Sequence, residues 1–186
     1  MLEKVLALDT ELFIYLNSLG SETYDGLWLL ITRQVNWIPL FLLLFYLIYT
    51  KLGIKQTLIL LLFVAVLITA TDQITNFVKF TFKRLRPCNN PEINSFIRVV
   101  QVRNSFSFFS GHAANTMSVA TFLYLIFKNQ FKYFWLLFLW PLIFAYSRIY
   151  LGLHYPLDIL SAYLFGIIAG FTMYKAYQWA LKKGRI

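Results

Sequence analysis

The chain has two histidines, and each stands beside residue types that handle anions. Ser110-Gly111-His112 opens an apolar run that continues to Phe127. Serine is a good helix N-cap, and glycine, lacking a Cβ, lets a ligand approach the backbone. The free N–H groups of a first helical turn then attract an anion, with His112 beside it. His154 follows Ser147-Arg148 after five residues and precedes Tyr155-Pro156-Leu157-Asp158. Pro156 suits a first helical position, which puts Asp158 in the first turn and His154 just before it. A carboxylate so placed can accept a hydrogen bond from one ring nitrogen, fix the tautomer and leave the other nitrogen free to attack.

A third group is a stripe. Asp72, Asn76, Lys79, Lys83 and Arg86 recur at steps of four, three, four and three residues, which is one face of a helix. On that helix Lys79 and Arg86 lie about 10 Å apart along the axis, and Pro87 disfavours helix from Arg86 onward. Asp72 sits deeper and is expected to orient Asn76 or Lys79, because an acid inside a span needs a partner. Each cluster alone has an ordinary reading. Cations at a span end snorkel, a lone histidine is often structural, and a first-turn aspartate serves the helix dipole. Those readings do not explain why all three clusters fall at helix ends on one side of a membrane.

The membrane itself follows from composition. Hydrophobic residues make up 59% of the 186 and charged residues 13%, about half the roughly 25% of a soluble domain. Too little polar surface remains to face water all round, and mean hydropathy is +0.63. The net charge of +9 suits headgroup anchoring, and the basic residues form no single soluble face for nucleic acid. The one cysteine, Cys88, permits no intrachain disulfide. Glu3, Asp9 and Glu11 interrupt the N-terminus, so no cleavable signal peptide is expected.

These features predict an all-α fold, a polytopic membrane helix bundle forming one domain over residues 1–186. Residues 1–34 are expected to form interfacial N-terminal helices. In the first, Leu2, Val5, Leu6, Leu12, Phe13, Leu16 and Leu19 recur at helical spacing with acids between; Leu27 to Thr32 forms a second short apolar segment. About five spans follow within residues 36–181, at roughly 36–50, 56–80, 112–127, 133–147 and 156–179, judged against about 20 apolar residues per span. Lys51, Lys55, Lys128, Lys132, Lys182, Lys183 and Arg185 fall on one side. Lys79, Lys83, Arg84, Arg86, Arg98, Arg103 and Arg148 fall on the other. The near tie is explained if the second set binds a ligand; the first then marks the cytoplasm and the site faces outward.

Taken in order, Lys79, six residues, Arg86-Pro87; Ser110-Gly111-His112; and Ser147-Arg148, five residues, His154, three residues, Asp158 resemble the three-part signature of the type 2 phosphatidic acid phosphatase superfamily, which includes the vanadium haloperoxidases. The resemblance covers about residues 72–160. It implies that His154 is the nucleophile forming a phosphohistidine, that Asp158 holds its ring and that His112 protonates the leaving oxygen. Lys79, Arg86, Ser110, Gly111 and Arg148 would hold the phosphoryl oxygens. Three fixed cations meet the electrostatic demand of phosphoryl transfer, so no metal and no cofactor are expected. The implied substrate is a membrane lipid phosphate, with undecaprenyl diphosphate favoured over phosphatidylglycerophosphate, phosphatidic acid or lipid A phosphates. A lipid phosphotransferase and an anion-binding transporter are the other classes the residues allow. One departure stands out: Phe109 occupies the position where the family usually has proline before Ser-Gly-His. Phe106, Phe108 and Phe109 are expected to rest in the interface beside a lipid chain.

Overall fold

A computed structural model describes residues 1–184, and the described residues are helical with no strand. Arg185, counted above with the cytoplasmic basic residues, lies outside them. Six α-helices follow in order: α1 Leu2–Ser18, α2 Glu22–Ile31, α3 Ile38–Phe82, α4 Gly111–Phe127, α5 Leu139–Tyr150 and α6 Pro156–Lys182. Short 3-10 turns at Gln34–Trp37, Pro87–Asn89 and Phe134–Phe138 link them.

Uninterrupted, the 45 residues of α3 would be about 67 Å long, twice a bilayer core. Gly53 breaks it, at φ 71° and ψ 173°, a left-handed geometry that a side chain resists. The two arms fold onto one apolar cluster, in which Leu44 and Ile48 of the first meet Leu60 and Leu67 of the second. They correspond to the first two expected spans. By length and composition, Gln34–Asn89 and Pro156–Lys182 contain helix long and apolar enough to cross a membrane, while Phe134–Tyr150 is shorter. Exposed apolar side chains such as Leu42, Leu62, Phe77, Leu160 and Leu164 form the outer surface of this integral membrane protein.

The centre of the bundle is α4 against α6. Gly166 and Gly170, one turn apart on α6, let its backbone rest on α4. A Cβ at Gly166 would stand 2.8 Å from the Ala114 carbonyl oxygen, and one at Gly170 would overlap that of Ser118. Small residues at a helix crossing replace the missing hydrophobic drive in lipid with close van der Waals contact.

The N-terminal helix docks on the bundle through a polar-bearing stripe. Leu2, Val5, Leu6, Leu12 and Leu19 are exposed, and α1 buries Asp9, Phe13 and Asn17 against the bundle. These residues recur every four positions, so one polar-bearing stripe faces inward. The Asn17 side-chain amide donates to the Ile149 and Tyr150 carbonyls, each at 3.1 Å, and its oxygen accepts from Arg98 N–H at 2.7 Å. Unsatisfied carbonyls at the end of α5 attract this helix more strongly than a greasy face does. The short segment 27–32 proves to be the end of α2. Asp25 of that helix is held by Arg98 at 2.8 Å and Tyr150 at 2.8 Å.

Candidate active site

His154 lies in the turn between α5 and α6, where its N–H donates to the Arg148 carbonyl at 3.2 Å. Pro156 occupies the first turn of α6 as expected, and Ser110 caps α4, accepting from Ala113 N–H at 3.4 Å. The starts of α4 and α6 are tied by Ser110 N–H donating to the Asp158 carbonyl at 3.2 Å. Arg86, Arg148, His154 and Asp158 are 4%, 2%, 1% and 0% exposed, so any charge there depends on protein partners rather than water.

Those partners assign the imidazole. Arg86 Nη1 lies 2.9 Å from His154 Nε2 and also donates to the Leu153 carbonyl at 2.9 Å. A guanidinium only donates, so Nε2 must offer its lone pair and the ring proton must sit on Nδ1. Nδ1 faces the Asp158 Oδ2 at 3.3 Å and the Ser107 hydroxyl at 3.4 Å. The lone pair that can attack is thus on the side of the cations. Burial, and then Arg86, Arg148 and Lys79, push the His154 imidazole well below the ordinary 6.5. It is therefore neutral near pH 7, the state a nucleophile requires.

The rest of the expected set divides in two. Arg148 donates through Nη1 to the Thr32 hydroxyl, while its buried Nε has no partner among the described residues. Arg86 is fixed by Ser105, through Nε to the carbonyl at 2.7 Å and through Nη2 to the hydroxyl at 2.9 Å. Among the described residues, Lys79 and His112 form no direct bond to this group. Lys79 instead lines a cavity of about 360 Å³ with Asn76, Ser105 and Phe106. His112 packs its ring 5.4 Å from that of Phe144 and opens onto two other cavities. The assembly is a buried cationic cluster around a neutral imidazole whose lone pair can attack a phosphoryl group.

Several sequence expectations change here. The stripe ends early: α3 stops at Phe82, and Lys83 adopts φ 49° with its N–H on the Lys79 carbonyl. Arg86 therefore reaches the site from an extended segment, not from two turns further along a helix. Asp72 accepts a hydrogen bond from Asn115 at 2.7 Å, so it braces α3 against α4 instead of orienting Asn76 or Lys79. Phe109 is buried, with its ring 5.1 Å from that of Phe165. It packs between helices, and only Phe106 and Phe108 remain half-buried, against Phe80 and Phe82.

Three residues outside the expected catalytic and phosphate-binding set surround Asp158. Arg84 donates to Asp158 Oδ1 at 2.7 Å and to Asp9 Oδ2 at 2.6 Å, with its guanidinium 3.8 Å over the Tyr155 ring. Ser107 hydroxyl donates to Asp158 Oδ2, which also accepts Tyr155 N–H at 3.1 Å. Asp9 completes the array by accepting Leu157 N–H at 2.7 Å. Burial pushes the Asp9 carboxyl above its ordinary value, against the opposing pull of Arg84. No spacing marks these residues, because Asp9 and Asp158 are brought together only by the docking of α1 on α6.

A model of the PAP2 superfamily matches residues 57–182. The lipid A 4'-phosphatase of Porphyromonas gingivalis is 30% identical over 182 residues, 96% of this chain and 77% of that protein. The one from Bacteroides thetaiotaomicron is 32% identical, covering 94% and 79%. An undecaprenyl-diphosphatase of Sulfolobus acidocaldarius is 28% identical, covering 88% and 76%. Among solved structures, Aquifex aeolicus LpxE superposes with a TM-score of 0.70 at 25% identity, covering 90% of this chain and 95% of that one. A transmembrane PAP2 type phosphatidylglycerolphosphate phosphatase from Bacillus subtilis has a TM-score of 0.71 at 17% identity, covering 94% and 86%, and shares the fold.

Proposed function

The chain belongs to the PAP2 superfamily and is a membrane lipid phosphatase, and on that footing we propose that His154 is its nucleophile, acting within residues 1–186 as one catalytic unit. The observation that carries this is the orientation of His154, with Nδ1 toward Asp158 and Ser107 and Nε2 toward Arg86. An incoming phosphate takes over the Arg86 Nη1 donor, and Nε2 attacks phosphorus in line with the leaving oxygen. The N–P bond forms as the P–O bond breaks, and His112, protonated when the phosphate dianion enters beside it, gives that proton to the departing oxygen. Lys79, Arg86, Arg148, Ser110 and the Gly111 backbone hold the equatorial oxygens, where positioning and charge do most of the catalytic work. Asp158 balances the positive charge that develops on the ring. Neutral His112 then takes a proton from water as that water attacks phosphohistidine, releasing phosphate and restoring both histidines.

The substrate we propose is a phosphorylated glycolipid of the lipid A class. It is supported by two lipid A 4'-phosphatases alignable over nearly the whole chain. Undecaprenyl diphosphate, favoured by the small size of the chain and an outward-facing site, is the second reading and is supported by the Sulfolobus relative. The opposed basic sets at the two membrane surfaces support about five spans in a bacterial inner membrane, with the site on the periplasmic side. No cofactor or metal enters this mechanism. His154→Ala in detergent, assayed for phosphate release across lipid A, polyprenyl diphosphates and phospholipid phosphates, should lose about 10⁴-fold or more in kcat. Full activity in that variant would end the nucleophile assignment, and the substrate ranking in the unaltered protein decides between the two lipid classes. Free phosphate measured against phosphorylated lipid acceptor distinguishes hydrolysis from transfer.

A further inference from the structure

His112 lies where two unlike cavities meet. Below it, a space of about 240 Å³ is lined by Gln34, Asp72 and Asn115 as well as by Phe41, Ile68 and Val119, and these last three also line an apolar cavity of about 260 Å³ running on to Ile48 and Leu60. Above it, a cavity of about 590 Å³ has a different chemistry: Gln34, Asn36 and Gln101 present amides, and Arg33 and Arg103 present cations. Such a volume falls within the usual range for small-molecule sites. The side-chain oxygen of Gln101 is buried there without a hydrogen-bond partner. Neither arginine is paired with a carboxylate among the described residues. Thr32, on the same wall, touches Arg148, so the polar cavity adjoins the proposed phosphate ligands.

We infer that this polar cavity receives the headgroup of the leaving lipid, its amides taking sugar hydroxyls and Arg33 with Arg103 taking a second anionic group. The inference rests on the phosphatase reading, since His112 must stand next to the leaving oxygen and both cavities open from it. The buried amide oxygen of Gln101, lacking a donor, suits a sugar hydroxyl, and the two exposed arginines on the same cavity wall offer charge to an anionic group. A glycolipid with a phosphate at each end supplies both, one phosphate at His154 and the other at the arginines.

The test uses the full-length protein in detergent with three substrates: bisphosphorylated lipid A, monophosphorylated lipid A and undecaprenyl diphosphate. The wild-type protein should prefer the bisphosphorylated form by kcat/KM. In the double variant Arg33→Gln/Arg103→Gln that preference should fall about 10-fold or more, the scale of one lost charge-assisted contact. Arg33→Lys/Arg103→Lys should retain most of it, which guards against a folding defect. An unchanged preference in the Gln variant overturns the site. A larger loss on undecaprenyl diphosphate than on bisphosphorylated lipid A assigns the arginines to the inner phosphate of a diphosphate and overturns the glycolipid headgroup. Absence of wild-type activity on both lipid A forms, with turnover of undecaprenyl diphosphate, instead refutes the substrate class while leaving the phosphatase reading intact.

Discussion

Arg84 touches neither cavity nor the nucleophile, yet its replacement by Met should slow the chemistry. Its guanidinium bridges two carboxylates, Asp158 at 2.7 Å and Asp9 at 2.6 Å. The Asp158 side chain is 0% exposed, Asp9 5% and Arg84 19%. Removing one partner of a fully buried pair costs about 3–5 kcal/mol. Water reaches part of this guanidinium, so about 2–3 kcal/mol of folding stability is the better figure. Asp158 would keep its Oδ2 donors, Ser107, Tyr155 N–H and His154, but lose the anchor on Oδ1 that sets the plane of the carboxylate. A ring that loses its acceptor geometry should cost about 10- to 100-fold in kcat, or about 1.4–2.7 kcal/mol of barrier. KM should stay within about 3-fold, because Arg84 meets no substrate.

Steady-state phosphate release in detergent, with kcat and KM separated, reads the effect, and thermal unfolding reads the stability loss. Arg84→Lys keeps a charge but cannot fork to two carboxylates, so it should recover only part of kcat. Asp9→Asn should lower kcat less than Arg84→Met. The double variant should resemble Arg84→Met alone, since Asp9 acts through Arg84. An unchanged kcat, or a rise in KM with kcat intact, would refute the positioning argument; the second result would make Arg84 a phosphate ligand.

Other outcomes follow from the same geometry. The His154 imidazole is depressed below 6.5 by burial and by Arg86, Arg148 and Lys79. The acid limb of kcat/KM should therefore lie below that of a free histidine, and in Lys79→Met it should move upward; a limb that moves downward would contradict the charge argument. Because unfolded His154 gains a proton as pH falls below about 6.5 while the folded ring does not, its linkage lowers stability toward acid pH. Melting temperatures of wild type and His154→Gln across pH 5 to 7.5 (about this range) should converge as pH falls. Turnover should persist in excess chelator, since Lys79, Arg86 and Arg148 supply the charge; strict Mg²⁺ dependence would count against the mechanism. Gly166→Ala places a Cβ 2.8 Å from the Ala114 carbonyl oxygen and should destabilise by about 1–3 kcal/mol, seen as a lower melting temperature; an unchanged melting temperature would mean the α4–α6 crossing is looser than it stands here.

The membrane class and the helix starts at Ser110 and Pro156 were legible in the sequence, as were the residues proposed to hold the phosphate. Each depends on local chemistry: an apolar run, a capping serine, a proline at a first turn, a histidine four residues before an aspartate. Lys79 lies on α3 as expected, but Arg86 reaches His154 from beyond the helix, because a helix end at Phe82 is a tertiary outcome. That end follows when Arg84 and Arg86 leave the helix to reach Asp158, Asp9 and Ser105. Which way α1 turns was likewise decided by distant groups. Its leucines have lipid on offer wherever they point, whereas the end of α5 and Arg84 offer Asn17 and Asp9 specific partners. In a bilayer, hydrophobicity selects the medium but not the contact, so buried polar pairs choose the packing. The Asp9–Arg84–Asp158 bridge, joining residues 149 positions apart, exists only once α1, α6 and the segment after α3 have met.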